Sequence, residues 1–161
     1  MILPKFRKEI IYSLVVASLV VAIDQVTKFL ITNKIYLHSK KVIISNFINL
    51  VHIKNKGIAF GIFNKPGTEC YILSGITIIA IFFIIYMIFT EGKKSLFISI
   101  PLGLILGGAI GNLIDRILFG EVTDFIDLHI GRYHWPAFNV ADMAISIGGF
   151  MILLFILMKK A

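Results

Sequence analysis

Charge is distributed very unevenly along this chain. The 21 residues 70–90, between Glu69 and Glu91, carry no charge, and neither do the 20 residues 95–114, between Lys94 and Asp115. A helix needs about 20 apolar residues to cross the hydrocarbon core of a bilayer, so each stretch predicts a transmembrane span. A third begins after Glu9, runs 14 uncharged residues to Asp24, and continues with helical spacing through QVTKFLI. The last stretch, 137–158, is uncharged except for Asp142. The pattern predicts an all-α membrane protein, one integral membrane domain over 1–161, with spans near 10–31, 70–90, 95–117 and 137–158. Loops near 32–69 and 118–136 and a tight turn at EGKK join them. In the long loop FINLVHIK alternates and is rich in β-formers, with Asn49 and His52 expected on opposite faces before the turn signal NKG. A small β-sheet resting on the membrane surface is expected there.

Composition agrees. Hydrophobic residues make up 58% of the chain and charged ones 16%, with mean hydropathy +0.92; soluble domains run near 45–50% and about 25%. The net charge of +7 would suggest nucleic acid in a soluble protein. Here lysines flank apolar runs, so anionic lipid headgroups are the expected partner and nucleic acid is not. A single cysteine, Cys70, excludes an internal disulfide and a cysteine-rich metal site. The histidines at 38, 52, 129 and 134 have no zinc-protease spacing, so neither metal nor cofactor is expected. Lys5, Arg7 and Lys8 before an apolar stretch ending at Ala22 have the look of a cleavable signal peptide. The apolar face continues past that point, which favours a retained span.

With four spans, connectivity collects Asp24, Lys28, Asn55, Asn112, Asp115, Arg116, Asp124, Asp127 and Asp142 on one face. The other face receives anchoring charges such as Lys8, Lys93, Lys94 and Lys159. Each side carries seven Lys or Arg. Short loops and span ends weigh most in the positive-inside rule, which favours both termini in the cytoplasm.

Gly103, Gly107 and Gly111 form a four-residue stripe that lets helices approach closely in lipid. It leads into GNLIDR, with Asn112, Asp115 and Arg116 on neighbouring strips; a snorkelling arginine is the plain alternative for Arg116. Asp24 and Lys28 stand at i, i+4, either neutralising each other or holding a site or a substrate headgroup. Ala141, Ala144, Gly148 and Gly149 leave room for a neighbouring helix, from the chain itself or from a substrate.

Asp142 is the costly residue. A carboxylate within a span costs up to about 2.5–3.5 kcal/mol at the centre and marks function by default. Asp124, 18 positions earlier, returns to the same face. In an extended TDFID, Asp124 and Asp127 point to opposite faces, so only one aims inward; Asp127 competes with Asp124 for that place, and a solvated loop acid is its plain reading. Two carboxyls in a low-dielectric pocket share one proton. The charged member can deprotonate an attacking water, and the neutral one can hydrogen-bond the carbonyl oxygen as it gains charge.

Five motifs, DQVTK (24–28), NKGIAFG (55–61), GNLIDR (111–116), VTDFID (122–127) and FNVAD (138–142), occur in the order and rough spacing of lipoprotein signal peptidase, or signal peptidase II. The chain resembles that family over nearly its whole length. The resemblance implies an aspartic intramembrane endopeptidase of the bacterial plasma membrane, cutting prolipoproteins before a diacylglyceryl-modified cysteine. It implies catalytic Asp124 and Asp142, with Asp24, Lys28, Asn55, Asn112, Asp115, Arg116 and Asn139 in support. It also implies cytoplasmic termini, an active site at the outer leaflet, a surface sheet in the long loop, a mobile flap after span 3, contact with phospholipids and inhibition by globomycin-type compounds. Ile58, where many members have alanine, and Lys54, where arginine is common, depart from the family pattern. Cys70 in GTEC is no lipobox, so the chain resembles the processing enzyme rather than its substrate.

Two other classes compete. A proton- or ion-coupled transporter would need ionisable groups through the membrane's depth, and spans 2 and 3 have uncharged middles. A non-catalytic assembly protein would use the polar cluster to bind a partner.

Overall fold

The computed structural model describes residues 8–57 and 68–160. Lys5, Arg7 and Ile58 lie outside them. Four long helices carry the chain: α1 (Lys8–Lys34), α2 (Thr68–Thr90), α3 (Leu96–Phe119) and α4 (Val140–Lys160). All are long and apolar enough to cross a membrane. A 3₁₀ turn at Gly92–Lys94 reverses the chain between α2 and α3. Ser95 then starts α3 by accepting from the Phe97 N–H, and Gly120, at φ 74°, ends it in the left-handed conformation that glycine adopts without strain.

α3 is the hub, packing against α1, α4 and α2, while α1 and α2 barely meet. Its span is 56% buried, against 28%, 11% and 17% for α1, α2 and α4. The outer faces of those three present Phe29, Phe82 and Phe150, all more than half exposed. So much bare apolar surface suits lipid rather than water.

Glycine explains how α3 holds its central place. A Cβ at Gly103 would stand 2.5 Å from the Ser13 carbonyl oxygen, and one at Gly107 2.6 Å from that of Ala17. Backbones this close leave no room for a side chain, which is the packing role expected of the stripe. The same contact explains α4's small residues. Ala141 and Ala144 are buried, and a Cβ on Gly148 would meet Pro101 and Ile105 of α3. Of the four positions expected to leave room for a neighbour, Gly149 faces open space, whereas the chain's own α3 lies against Ala141 and Gly148. At the end remote from the acids, Ser13 and Ser99 join α1 to α3 through a 2.9 Å hydroxyl pair, and Ser99 Oγ also donates to the Glu9 carbonyl.

The sheet has four antiparallel strands in the order β1 (Lys40–Ile44), β2 (Ile48–Asn55), β3 (Val122–Ile130) and β4 (Tyr133–His134). It is larger than the long loop alone, because the segment after α3 supplies β3 and β4. Asn49 of β2 lies opposite Asp127; the register then shifts between Leu50 and Ile53, so that Ile53 lies opposite Asp124. Asn49 and His52 are both buried, Asn49 against Asp127 and His52 against the Ile35 carbonyl. The chain entering α4 is tied to β3 by the Phe125 and Ile126 N–H groups donating to the Phe138 carbonyl at 3.0 and 2.8 Å. That tie delivers residues 139–142 to the start of β3.

Candidate active site

Helix α4 begins with the sequence NVAD. Asn139 caps it: its side-chain oxygen accepts from the Asp142 N–H at 3.0 Å, and its own N–H donates back to Asp142 Oδ2 at 3.3 Å. This reciprocal pair is a capping box with aspartate in the usual glutamate position. The helix start also favours negative charge. The aspartate that looked expensive in the sequence therefore sits half-buried at a helix N-terminus, where local structure lowers its cost.

The amide of Asn139 reaches the other way as well. Its Nδ2 donates to Asp124 Oδ1 at 2.8 Å, so one fully buried asparagine touches both acids. Asn55 Nδ2 donates to Asp124 Oδ2 at 2.8 Å, and Asn112 Nδ2 donates to Asp142 Oδ1 at 2.8 Å. Asp124 is 3% exposed. Burial raises its carboxyl from the ordinary 3.8 to about 6; the Asn55 and Asn139 hydrogen bonds pull it down, and the negative charge of Asp142 adds to the rise.

Beneath this pair lies a buried ionic layer. Lys28 Nζ stands 2.8 Å from Asp24 Oδ2 and 3.2 Å from Asp115 Oδ2, and donates to Asn112 Oδ1 at 3.0 Å. Each flanking acid grips a backbone N–H immediately before a member of the upper pair. Asp115 Oδ2 accepts from Thr123 N and Asp24 Oδ1 accepts from Ala141 N, both at 3.0 Å. The Asp24–Lys28 pair is thus neither isolated nor open to a headgroup. It fixes the start of β3 to that of α4. Gly111 admits this layer, since a Cβ there would lie 2.6 Å from Asp24 Oδ2.

Asp24, Lys28, Asn55, Asn112, Asp115, Asp124, Asn139 and Asp142 are therefore brought together. Arg116 is not. It lines a separate cleft of about 410 Å³ with Cys70, Tyr71 and Ser74 between α2 and α3, and its guanidinium has no hydrogen bond or ion pair with any described residue. Asp127 is corrected from a solvated acid to a buried one. It accepts from Asn49 Nδ2 at 2.8 Å and from His134 Nδ1 at 2.7 Å. Sequence reasoning missed Gln25, whose Nε2 donates to Asp115 Oδ1 at 2.9 Å and to the Gly111 carbonyl at 3.1 Å. Its place directly after Asp24 in the apolar first span was the available signal. Thr123 was missed too, because it acts through its backbone.

A helix bundle with an apolar exterior and a carboxylate cluster at one end defines a multi-pass membrane protein built around buried acids. Comparison with known proteins narrows this. Residues 16–158 match the family model for signal peptidase (SPase) II. The lipoprotein signal peptidase of Syntrophus aciditrophicus (strain SB) is 42% identical over 156 residues, 96% of this chain and 97% of that protein. That of Anaplasma phagocytophilum (strain HZ) is also 42% identical, over 96% of this chain and 97% of its own length. Two solved structures of bacterial membrane enzymes, obtained by the in meso method at 2.3 and 1.9 Å, each superpose with a TM-score of 0.81. They are 36% and 37% identical, covering 92% and 90% of this chain and 89% and 92% of those chains. The chain belongs to the signal peptidase II family, a family of multi-pass bacterial membrane peptidases.

Proposed function

We propose that the chain is an aspartic endopeptidase that removes signal peptides from bacterial prolipoproteins, cutting before the diacylglyceryl-modified cysteine. The observation that carries this reading is Asn139, which holds Asp124 and Asp142 from one amide at the end of an otherwise apolar bundle. One cation, Lys28, stands against the carboxyls of Asp24 and Asp115, and its charge also reaches Asp124.

In the reactive form Asp124, its carboxyl pushed up to about 6, is assigned the proton, and Asp142, at a helix N-terminus that favours negative charge, is assigned the part of the carboxylate. Asp142 takes a proton from water as the water oxygen attacks the scissile carbonyl carbon. Asp124 donates a hydrogen bond to the carbonyl oxygen while negative charge develops there. The tetrahedral intermediate collapses as the proton on Asp142 passes to the departing cysteine nitrogen, and the C–N bond breaks. The products are a signal peptide with a free carboxylate and a lipoprotein with a free amine. Neither a metal nor a covalent intermediate is required.

The signal helix lies in the bilayer beside the bundle, and the lipidated cysteine holds the scissile bond at headgroup level. The termini are cytoplasmic and the dyad is at the outer leaflet, with phospholipid around the spans. Purified protein should cleave a diacylglyceryl-modified prolipoprotein, spare the unlipidated form, keep its activity under chelators and be inhibited by globomycin. As pH rises above about 6 the dyad loses its single proton, so kcat/KM should decline on that side. Cleavage that stops under chelators, or a kcat/KM still rising at pH 8, would overturn the mechanism.

A further inference from the structure

Beside the dyad a cleft of about 380 Å³ opens, lined by Lys54, Asn55, Lys56 and Asp124 of the sheet side and by Pro136 and Ala137 of the segment before α4. Asp124 brings it to the candidate catalytic pair, and Ala137 lies two residues before the α4 cap. We infer that this cleft receives the polypeptide following the lipidated cysteine, and that Lys54 and Lys56 make it favour acidic residues there. The inference rests on the proposed peptidase reading and goes beyond it by assigning a subsite and its charge preference.

The topology sorts the two halves of the substrate. An apolar signal helix stays in lipid, on the side where the spans end. The polar chain beyond the cysteine has to leave away from the hydrocarbon, and strand β2 with the segment before α4 forms that side. Among the described residues lining the cleft, Asp124 is the one acid and is needed for the chemistry, so the charge left to greet a substrate is that of the lysines. Lys54 is held in place, donating to Thr123 Oγ1 at 3.1 Å and lying 5.1 Å from the Phe119 ring centroid. Lys56 is exposed and forms no ion pair with a described residue. It also borders a second cleft with Glu69 and Glu121, whose charges temper its own and keep the preference modest.

The test uses full-length enzyme in detergent and three diacylglyceryl-modified substrates that differ only in the second and third residues after the cysteine: Glu-Glu, Gln-Gln or Lys-Lys. Exposed charge pairs imply about two- to fivefold per contact. kcat/KM should therefore be about fivefold higher for Glu-Glu than for Lys-Lys, mainly through KM, and the ratio should shrink in high salt. Lys56→Gln should reduce the ratio, and Lys56→Glu should bring it to one or below. Equal kcat/KM for all three substrates, or a ratio unaltered by both variants, overturns the inference. Its failure is separable from that of the peptidase reading: in the first case the substrates are still cut in an Asp124- and Asp142-dependent way, and in the second they are cut without those residues or not at all.

Discussion

Asp124 and Asp127 stand on one strand, both buried, and their carboxyls are driven in opposite directions. At Asp124 burial and the nearby charge of Asp142 outweigh two amide hydrogen bonds, and the carboxyl rises to about 6. At Asp127 burial acts as well, but hydrogen bonds from Asn49 and His134 and the charges of His134 and His129 win, holding it below the usual carboxylate range. Burial alone thus makes neither a proton-holding acid nor a structural one. The partners decide: at Asp124 they include a second acid, and at Asp127 an amide and two imidazoles.

The largest expected effect tests that division directly. Asp124→Asn and Asp142→Asn should each lower turnover by at least about 10³-fold in folded protein. Asp127→Asn should keep substantial activity. A dead Asp127 variant beside an active Asp124 variant would reverse the assignment, and cleavage of a lipidated substrate followed by gel mobility decides it.

Next comes the buried layer that holds the active end together. Lys28→Met leaves Asp24 and Asp115 facing each other without their cation and should cost about 3–5 kcal/mol, seen as a lower thermal midpoint in detergent. An unchanged midpoint would mean that the two acids are not held as charges.

A smaller effect sharpens the contrast on the Asp124 side. A raised folded-state pKa means stability is fully present below the unfolded value and lost as pH rises through the folded one. Asp124→Asn removes that loss. Relative to the parent, the variant should gain stability as pH rises from about 4 through about 6 and then level off, by at most roughly 3 kcal/mol for a rise from 3.8 to about 6. A gap constant with pH would show that Asp124 titrates normally.

At Asp127 the sign is opposite and the effect smallest. A depressed pKa contributes stability above the unfolded value that vanishes as pH falls through the folded one. Asp127→Asn should be less stable than the parent by about 1 kcal/mol at neutral pH, with the difference closing in acid. Denaturation curves of the two proteins at pH 7 and pH 3 measure it.

Much of this protein could be read along the chain. Spans of 20 or so uncharged residues, the glycine stripe and the alternation in FINLVHIK each reflect a local rule of length, size or period. Connectivity then put the acids at one end of the bundle. The contacts among them were not legible, because they depend on register and on backbone groups without a residue type. Nothing in the sequence says that Asp115 grips the Thr123 N–H or that Asp24 grips that of Ala141. The register that sets Asn49 opposite Asp127 is likewise a property of strand pairing, and it gave an acid expected to be solvated a buried hydrogen-bond partner.

The sequence by itself determined that the chain lives in a membrane and which ionisable groups share an end, since the exclusion of charge from hydrocarbon acts on every residue separately. Only the tertiary structure decided what each of those groups does. Proton affinity depends on the donors and charges within a few ångströms, and here most of them come from distant parts of the chain.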